Sequence, residues 1–351
     1  MKCQGQGTRK HDNKNDIKEI AMNHIGIDVS SKELRVVVSV NGKHRKAQSF
    51  ENTSEDHNRL ITLIQKLPGE SIVCMEATGV HHFDLAVALS RAKPIRVMVI
   101  NPKAAHNFSK ALLQRSKTDN IDTGVLASYA ERMPFVEWQR PSEEALALRA
   151  LARRIAAINK IKAQVKNQLS ALLATQETPE VILTHTQSLI DTLEAQIASF
   201  RSSALNTLNG NQTLQEIYTL ITSIKGIAEA SAIQLLGELL TMPADLTVKQ
   251  WVAYAGLDPR HFESGSSVAK RAKISKAGNR YIRQALYMPA LVASRYEPHV
   301  AAYYKHLQEK RGLQKIQAIC AVMRKILHAI YGMLHNRQPF DGSKFFDMEA
   351  A

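Results

Sequence analysis

Between His24 and Ile100 the sequence alternates between the two-residue period of strands and the three-to-four-residue period of helices. The order of those segments narrows the fold more than any other feature. Ile25-Gly26-Ile27-Asp28 and Leu34-Arg35-Val36-Val37-Val38-Ser39-Val40 read as strands, and Asn41-Gly42 supplies a tight hairpin turn into a polar strand ending at Phe50. Asn52-Thr53-Ser54-Glu55 opens a helix whose apolar positions, Leu60, Ile61, Leu63, Ile64 and Leu67, continue until Pro68-Gly69 stops it. Ser71 to Met75, about Phe83 to Arg91, and Ile95 to Ile100 follow as strand, helix and strand, a crossover that implies parallel pairing.

That order matches a ribonuclease-H-like fold, in which the first and fourth strands are neighbours. Asp28 lies on the first and Glu76 ends the fourth, so their carboxylates should converge. Asp119 and Asp122, three apart after Lys117-Thr118, share one face of a helix that runs through Leu126 and Tyr129 to about Arg132, before Pro134. Together the four acids would form a pocket for a divalent metal; read singly, each could equally cap a helix or pair with a lysine. No acid occurs between Arg91 and Thr118, and Lys103, Lys110, Arg115 and Lys117 in that stretch should face phosphate.

Charge sets the class of partner. The 351 residues carry a formal net charge of +14, with a pI near 9.6, which points to a polyanion, most often nucleic acid, ahead of a membrane surface. No run approaches the roughly 20 apolar residues that span a bilayer, and the first two dozen residues are polar, so a cytoplasmic, nucleoid-associated protein with no membrane partner is expected. Residues 1–22 read as a disordered leader. Cys3, Cys74 and Cys320 share no close spacing, which supports neither disulfides nor a zinc site.

From about Ser142 the pattern becomes long helix. Leu148, Leu151, Ile155, Ile158, Ile161, Val165, Leu169 and Leu172 recur at threes and fours, with Arg149, Arg153, Arg154, Lys160, Lys162 and Lys166 on the other faces. Pro179 interrupts, and a second helix carries Leu189, Ile190, Leu193 and Ile197. The pair reads as an antiparallel arm or oligomerisation element, or as a solvated hairpin linker. Further on, Lys225-Gly226-Ile227-Ala228 lies in what resembles half of a helix-hairpin-helix, although alanine stands at position 228 where that motif has glycine. The turn and Lys225 either meet a phosphate or belong to an ordinary core helix-turn-helix. The stretch His261-Phe262-Glu263-Ser264-Gly265-Ser266-Ser267 follows a helix over about Lys249 to Ala255 and precedes a basic run holding Lys270, Arg271, Lys273, Lys276, Arg280 and Arg283. A serine there could be a hydroxyl nucleophile beside a phosphodiester; such loops are more commonly turns or helix caps.

Several motifs occur together and in order: Gly26-Ile27-Asp28, Met75-Glu76-Ala77-Thr78-Gly79, Lys117-Thr118-Asp119-Asn120-Ile121-Asp122, Ala255-Gly256-Leu257-Asp258-Pro259-Arg260, Glu263-Ser264-Gly265-Ser266-Ser267 and Ser275-Lys276-Ala277-Gly278-Asn279. Over about residues 24 to 340 they closely resemble the DEDD transposases of the insertion-sequence-110 family, related to the Piv and MooV DNA invertases. The resemblance implies a RuvC-like catalytic domain (23–140), a coiled-coil helical arm (141–205), a helical C-terminal transposase domain (206–340) and a tail (341–351). It implies a metal-binding tetrad of Asp28, Glu76, Asp119 and Asp122 and a catalytic Ser264, with Ser266 and Ser267 as competing hydroxyls. It further implies two Mg²⁺ ions (or Mn²⁺ in their place), donor and target DNA, a structured bridge RNA as guide, and a dimer or tetramer. Arg260, Lys270, Arg271, Lys273, Lys276 and Arg280 are then expected on phosphates. Three alternatives stand beside transposition: a Piv-like site-specific invertase; a RuvC-like structure-specific nuclease, which would not need Ser264; and a non-catalytic nucleic-acid-binding protein.

Overall fold

The structure, a computed structural model, describes residues 22–40, 42–77, 81–113, 119–264 and 268–348; for 119–121, 261–264 and 268–272 it describes the backbone alone. The chain divides into two compact units after Arg140. The expected leader lies outside the described residues except for Met22, which already belongs to the first strand.

The first unit contains β1 (Met22–Val29), β2 (Glu33–Val40), β3 (Lys43–His44), β4 (Gln48–Glu51), α1 (Ser54–Gln65), β5 (Glu70–Glu76), α2 (Phe83–Arg91), β6 (Ile95–Ile100), α3 (Pro102–Ala111) and α4 (Asp119–Arg132). β1 and β2 pair antiparallel, with Gly26 opposite Val37. Gly42 adopts φ +75°, the left-handed backbone that the turn after β2 requires; Asn41 lies outside the described residues. The polar strand expected up to Phe50 is instead two short pieces, β3 and β4, both paired with β2. Beyond Arg45, whose amide still donates to the Val38 carbonyl of β2 at 2.8 Å, Lys46 and Ala47 leave the ladder, because an edge strand without apolar alternation has little to fix its register. β5 and β6 complete the sheet in parallel, giving the order β3-β2-β1-β5-β6 with β4 also on β2.

Alternation sorts the strands onto two faces. Ile25, Ile27, Val73, Met75 and Val97 join Leu60 and Ile64 of α1 and Leu85 and Leu89 of α2 in one core. Ile72, Cys74, Met98 and Ile100 meet Ala105 of α3 and Leu126 and Ala130 of α4 in the other. Burial pushes the Cys74 thiol up to about 12, which leaves roughly one part in ten thousand as thiolate at pH 8. Cys74 is therefore expected to resist alkylation in native protein and to react only on unfolding, as mapped by peptide mass spectrometry with and without denaturant; labelling under native conditions would show that this core opens.

The second unit contains α5 (Glu143–Leu173), α6 (Glu180–Asn209), α7 (Gln212–Thr222), α8 (Glu229–Leu239), α9 (Val248–Ala255), β7 (Pro259–Ser264), β8 (Val268–Ile274), α10 (Arg280–Tyr296), α11 (Pro298–Glu309), α12 (Lys315–Asn336) and α13 (Gly342–Phe345). Ser142 caps α5 by accepting the amide of Ala145 at 3.1 Å. α5 and α6 pack together over two different cores. Ile155, Ile158 and Val165 face Ile190, Leu193 and Ile197 in a seam between these two helices. Leu148, Ala152, Ala204 and Leu208 instead belong to the large core shared by α7 to α12. The near ends of the hairpin are thus rooted in the globular body. The segment after Arg337 folds back onto it, burying Phe345.

One expectation for this unit needs correction. The stretch around Ser264 and the basic run after it form an antiparallel two-stranded hairpin, β7 and β8, inside an otherwise helical body. The sequence Val268-Ala269-Lys270-Arg271-Ala272-Lys273-Ile274 hides its strand character because its cations obscure the two-residue apolar alternation. No helix among the described residues is long and apolar enough to cross a membrane.

Candidate active site

Strand pairing determines where the first two acids lie. β1 and β5 run parallel with Ile27 opposite Met75, and Asp28 and Glu76 are the next residue on each strand. By alternation they share the face of Gly26 and Cys74, which is covered by α4. Each is partly buried.

Gly26 permits that cover. A Cβ at this position would lie 2.1 Å from the Thr123 carbonyl oxygen and 2.5 Å from the Ala127 amide nitrogen, so the backbone of α4 rests directly on β1. At the other end of α4, the Glu131 carboxylate lies 3.4 Å from the site of a Cβ on Gly42, beside the start of β1. The helix therefore runs against the direction of β1 and brings its first turn towards the strand end where Asp28 and Glu76 sit. That turn holds positions 119 and 122, three apart along the helix, and a carboxylate in a first turn is favoured by the helix dipole. Asp122 is partly buried, and the Asp119 side chain lies outside the described residues. Among the described residues no three histidine, cysteine or acidic side chains approach closely enough to hold a metal. An all-oxygen donor set of this kind fits a hard divalent cation.

Among the cations of this unit, Lys103 and Lys110 are exposed two turns apart on α3, with His106 between them on the same side. Arg115 and Lys117 lie outside the described residues.

Ser264 is the last residue of β7 and pairs with Val268; Gly265, Ser266 and Ser267 between them lie outside the described residues. The base of this hairpin is held tightly. Gly256 ends α9 at φ +66°, and a Cβ on Gly278 would lie 2.3 Å from the Tyr254 carbonyl oxygen, so the exit segment lies against the last turn of α9. Asp258 and Ser275, which flank the hairpin, bond to each other through their side chains and through the Ser275 amide to the Asp258 carbonyl at 2.9 Å. Arg283, the last cation of the basic run, donates to the carbonyls of Ala255 at 2.8 Å and Gly278 at 3.1 Å, and burial lowers its guanidinium pKa. Arg260, Lys273, Lys276 and Arg280 are exposed around the hairpin, and Lys225 is exposed in the turn before α8, whose neighbours Ile224 and Ile227 are buried. For Lys270 and Arg271 only the backbone is described.

Sequence reasoning missed one cluster. Arg153, expected on an outer face of α5, donates twice to Glu238 of α8, Nε to Oε1 at 2.7 Å and Nη2 to Oε2 at 2.9 Å. This charged hydrogen bond raises the guanidinium pKa. Glu238 is 1% exposed and also accepts from Asn279 Nδ2 at 2.6 Å. An acid inside the apolar run Ile233-Gln234-Leu235-Leu236-Gly237-Glu238-Leu239-Leu240 was the available signal.

Residues 25–176 match a family model described as "Transposase", of the DEDD type, and residues 218–305 match one described as "Transposase IS116/IS110/IS902 family". The pilin gene-inverting proteins of Moraxella bovis and Moraxella lacunata are each 31% identical over 271 residues, covering 76% of this chain and 81% of theirs. An insertion element IS110 protein of Streptomyces coelicolor is 28% identical over 120 residues, 33% of this chain and 28% of that one.

Proposed function

This chain belongs to the IS110 family of transposases and is a DNA transposase/recombinase, and we propose that it serves a bacterial insertion sequence by cutting and rejoining DNA through a phosphoserine intermediate at Ser264. The observation that carries the reading is the parallel β1–β5 pairing, which sets Asp28 and Glu76 on adjacent strand ends under the acid-bearing turn of α4. Antiparallel β2 and its partners beside β1, followed by parallel β5 and β6, support a RuvC-like, ribonuclease-H-like domain.

The tetrad Asp28, Glu76, Asp119 and Asp122 would hold two Mg²⁺ ions, or Mn²⁺ in their place, which when bound polarise the scissile phosphate and stabilise the attacking or leaving oxygen. The Ser264 hydroxyl oxygen bonds to phosphorus as the bond from phosphorus to a deoxyribose oxygen breaks. The serine proton passes to water and the released deoxyribose oxygen takes one up. One phosphodiester replaces another, so a second strand's hydroxyl can displace the serine without ATP. Lys103, Lys110, Arg115, Lys117, Lys225, Arg260, Lys270, Arg271, Lys273, Lys276 and Arg280 hold DNA or a structured bridge RNA by its phosphates. The carboxylates and the serine lie in different units of the chain, and a dimer or tetramer would let one protomer supply each, with α5 and α6 as the assembling arm. The site of action is the nucleoid in the cytoplasm.

A second reading, site-specific inversion, is favoured by the relatives named pilin gene-inverting proteins, and the same residues would serve it. The test is denaturing-gel detection of a covalent complex with labelled donor DNA, supplied with Mg²⁺ and the element's flanking transcript. An adduct is expected from wild type and from neither Ser264→Ala nor Asp119→Ala. Cleavage persisting in Ser264→Ala, with no wild-type adduct, would make water the nucleophile and the protein a RuvC-like nuclease. Mixing Asp28→Ala with Ser264→Ala protein is expected to recover the adduct, and no recovery would argue against sharing between protomers.

A further inference from the structure

We propose that Glu238 is a positioning residue for the hairpin that carries Ser264, acting through Asn279 and locked in place by Arg153. Its consequence for catalysis rests on the reading of Ser264 as nucleophile; the mechanical link rests on the contacts alone.

Asn279 is where the elements around the hairpin meet. Its Oδ1 accepts the amides of Tyr281 at 2.9 Å and Ile282 at 3.4 Å, capping α10. Its backbone N–H donates to the Tyr254 carbonyl in the last turn of α9 at 2.6 Å. Its Nδ2 donates to Glu238. The first of these bonds fixes the helix after β8 and the second fixes the helix before β7. The third ties both to α8, and Arg153 extends the tie to α5. The amide of Asn279 is thereby held in one orientation, with oxygen to α10 and nitrogen to Glu238.

Stability alone does not account for a carboxylate at position 238. A buried ion pair is often matched or bettered by apolar side chains of similar volume, and its best-attested use is to fix one arrangement among several. Here the fixed arrangement is the base of the hairpin, whose backbone is already close-packed at Gly256 and Gly278. The Arg153 guanidinium is further held over the Tyr281 ring, 4.6 Å from its centroid, so the pair is also keyed to the first turn of α10.

Two double variants of the full chain separate positioning from stabilisation. Arg153→Met with Glu238→Gln removes both charges but keeps a carbonyl oxygen for Asn279 Nδ2. Arg153→Met with Glu238→Leu removes that acceptor as well. Both are expected to melt close to wild type. The leucine variant is expected to show faster amide exchange across residues 259–264 and 268–274, and adduct formation at saturating DNA about tenfold slower or more, with DNA affinity unchanged. The glutamine variant should resemble wild type in all of these. Equal hairpin exchange in the two variants overturns the proposal, as does an equal adduct rate while wild type forms the adduct. If wild type forms none, the Ser264 reading has failed, and the exchange comparison still decides the link. Asn279→Ser, which keeps a capping oxygen for α10 without reaching Glu238, gives the same comparison should the leucine variant not fold; unchanged hairpin exchange there also overturns the proposal.

Discussion

Gly26→Ala is expected to slow strand cleavage roughly a hundredfold and to destabilise the N-terminal unit, although it adds a single methyl group. The new carbon would sit 2.1 Å from the Thr123 oxygen and 2.5 Å from the Ala127 nitrogen, and both are backbone atoms of α4. No rotamer change relieves such a clash, so the helix must lift from β1 by more than an ångström. Overpacking of this kind costs about 1–3 kcal/mol. The functional loss is larger than the stability loss because Asp122 adjoins Thr123: whatever moves the helix moves the acid-bearing turn away from Asp28 and Glu76. If these acids are the catalytic constellation proposed above, a displacement of that size lowers rate by roughly a hundredfold. Gly124→Ala is the control, since its nearest neighbour is the His44 ring at 3.3 Å, a side chain that can turn aside. Urea unfolding and the adduct assay on both variants decide the matter. A Gly26→Ala protein as stable and active as Gly124→Ala would mean that α4 does not lie on β1 as closely as the structure has it.

The contrast between what the sequence disclosed and what it concealed follows from the range of the interactions. Helix α1 with its start at Thr53-Ser54, the crossover β5-α2-β6, the onset of α5 near Ser142 and the break at Pro179 before α6 were readable because period, capping chemistry and proline stops act over a few residues. Asp28 and Glu76 could be placed on neighbouring strands because the order of elements allows few sheet topologies. The approach of α4 to Gly26 was not readable: a glycine in an apolar strand looks the same whether it faces a helix backbone or open space. The same holds for β7 and β8, where the cations outweighed the alternation, and for Arg153, whose partner lies 85 residues away.

Asp28→Asn is expected to remove Mg²⁺-dependent stabilisation while leaving the fold and DNA affinity intact. Asparagine has the same shape, so packing at the end of β1 is retained, but a neutral amide is a much weaker ligand for a hard cation than a carboxylate. A ligand that binds only the folded state stabilises it by RT ln(1 + [L]/Kd), about 2.7 kcal/mol at a concentration of 100 Kd. Wild-type protein should therefore melt progressively higher as Mg²⁺ is added, and the variant should not. Adduct formation should fall on the order of a thousandfold, because charge developing on the phosphoryl oxygens would lose its strongest counter-charge. Melting comes first because it reads metal binding without requiring chemistry, guide RNA or the second unit's serine. Glu76→Gln should behave in the same way if the strand ends act as one site, since Glu76 follows Met75 as Asp28 follows Ile27 and so shares its sheet face on the neighbouring strand. Should Mg²⁺ raise the melting temperature of Asp28→Asn as much as that of wild type, Asp28 would not be a ligand. The paired strand ends would then need another role, such as fixing α4 over the sheet.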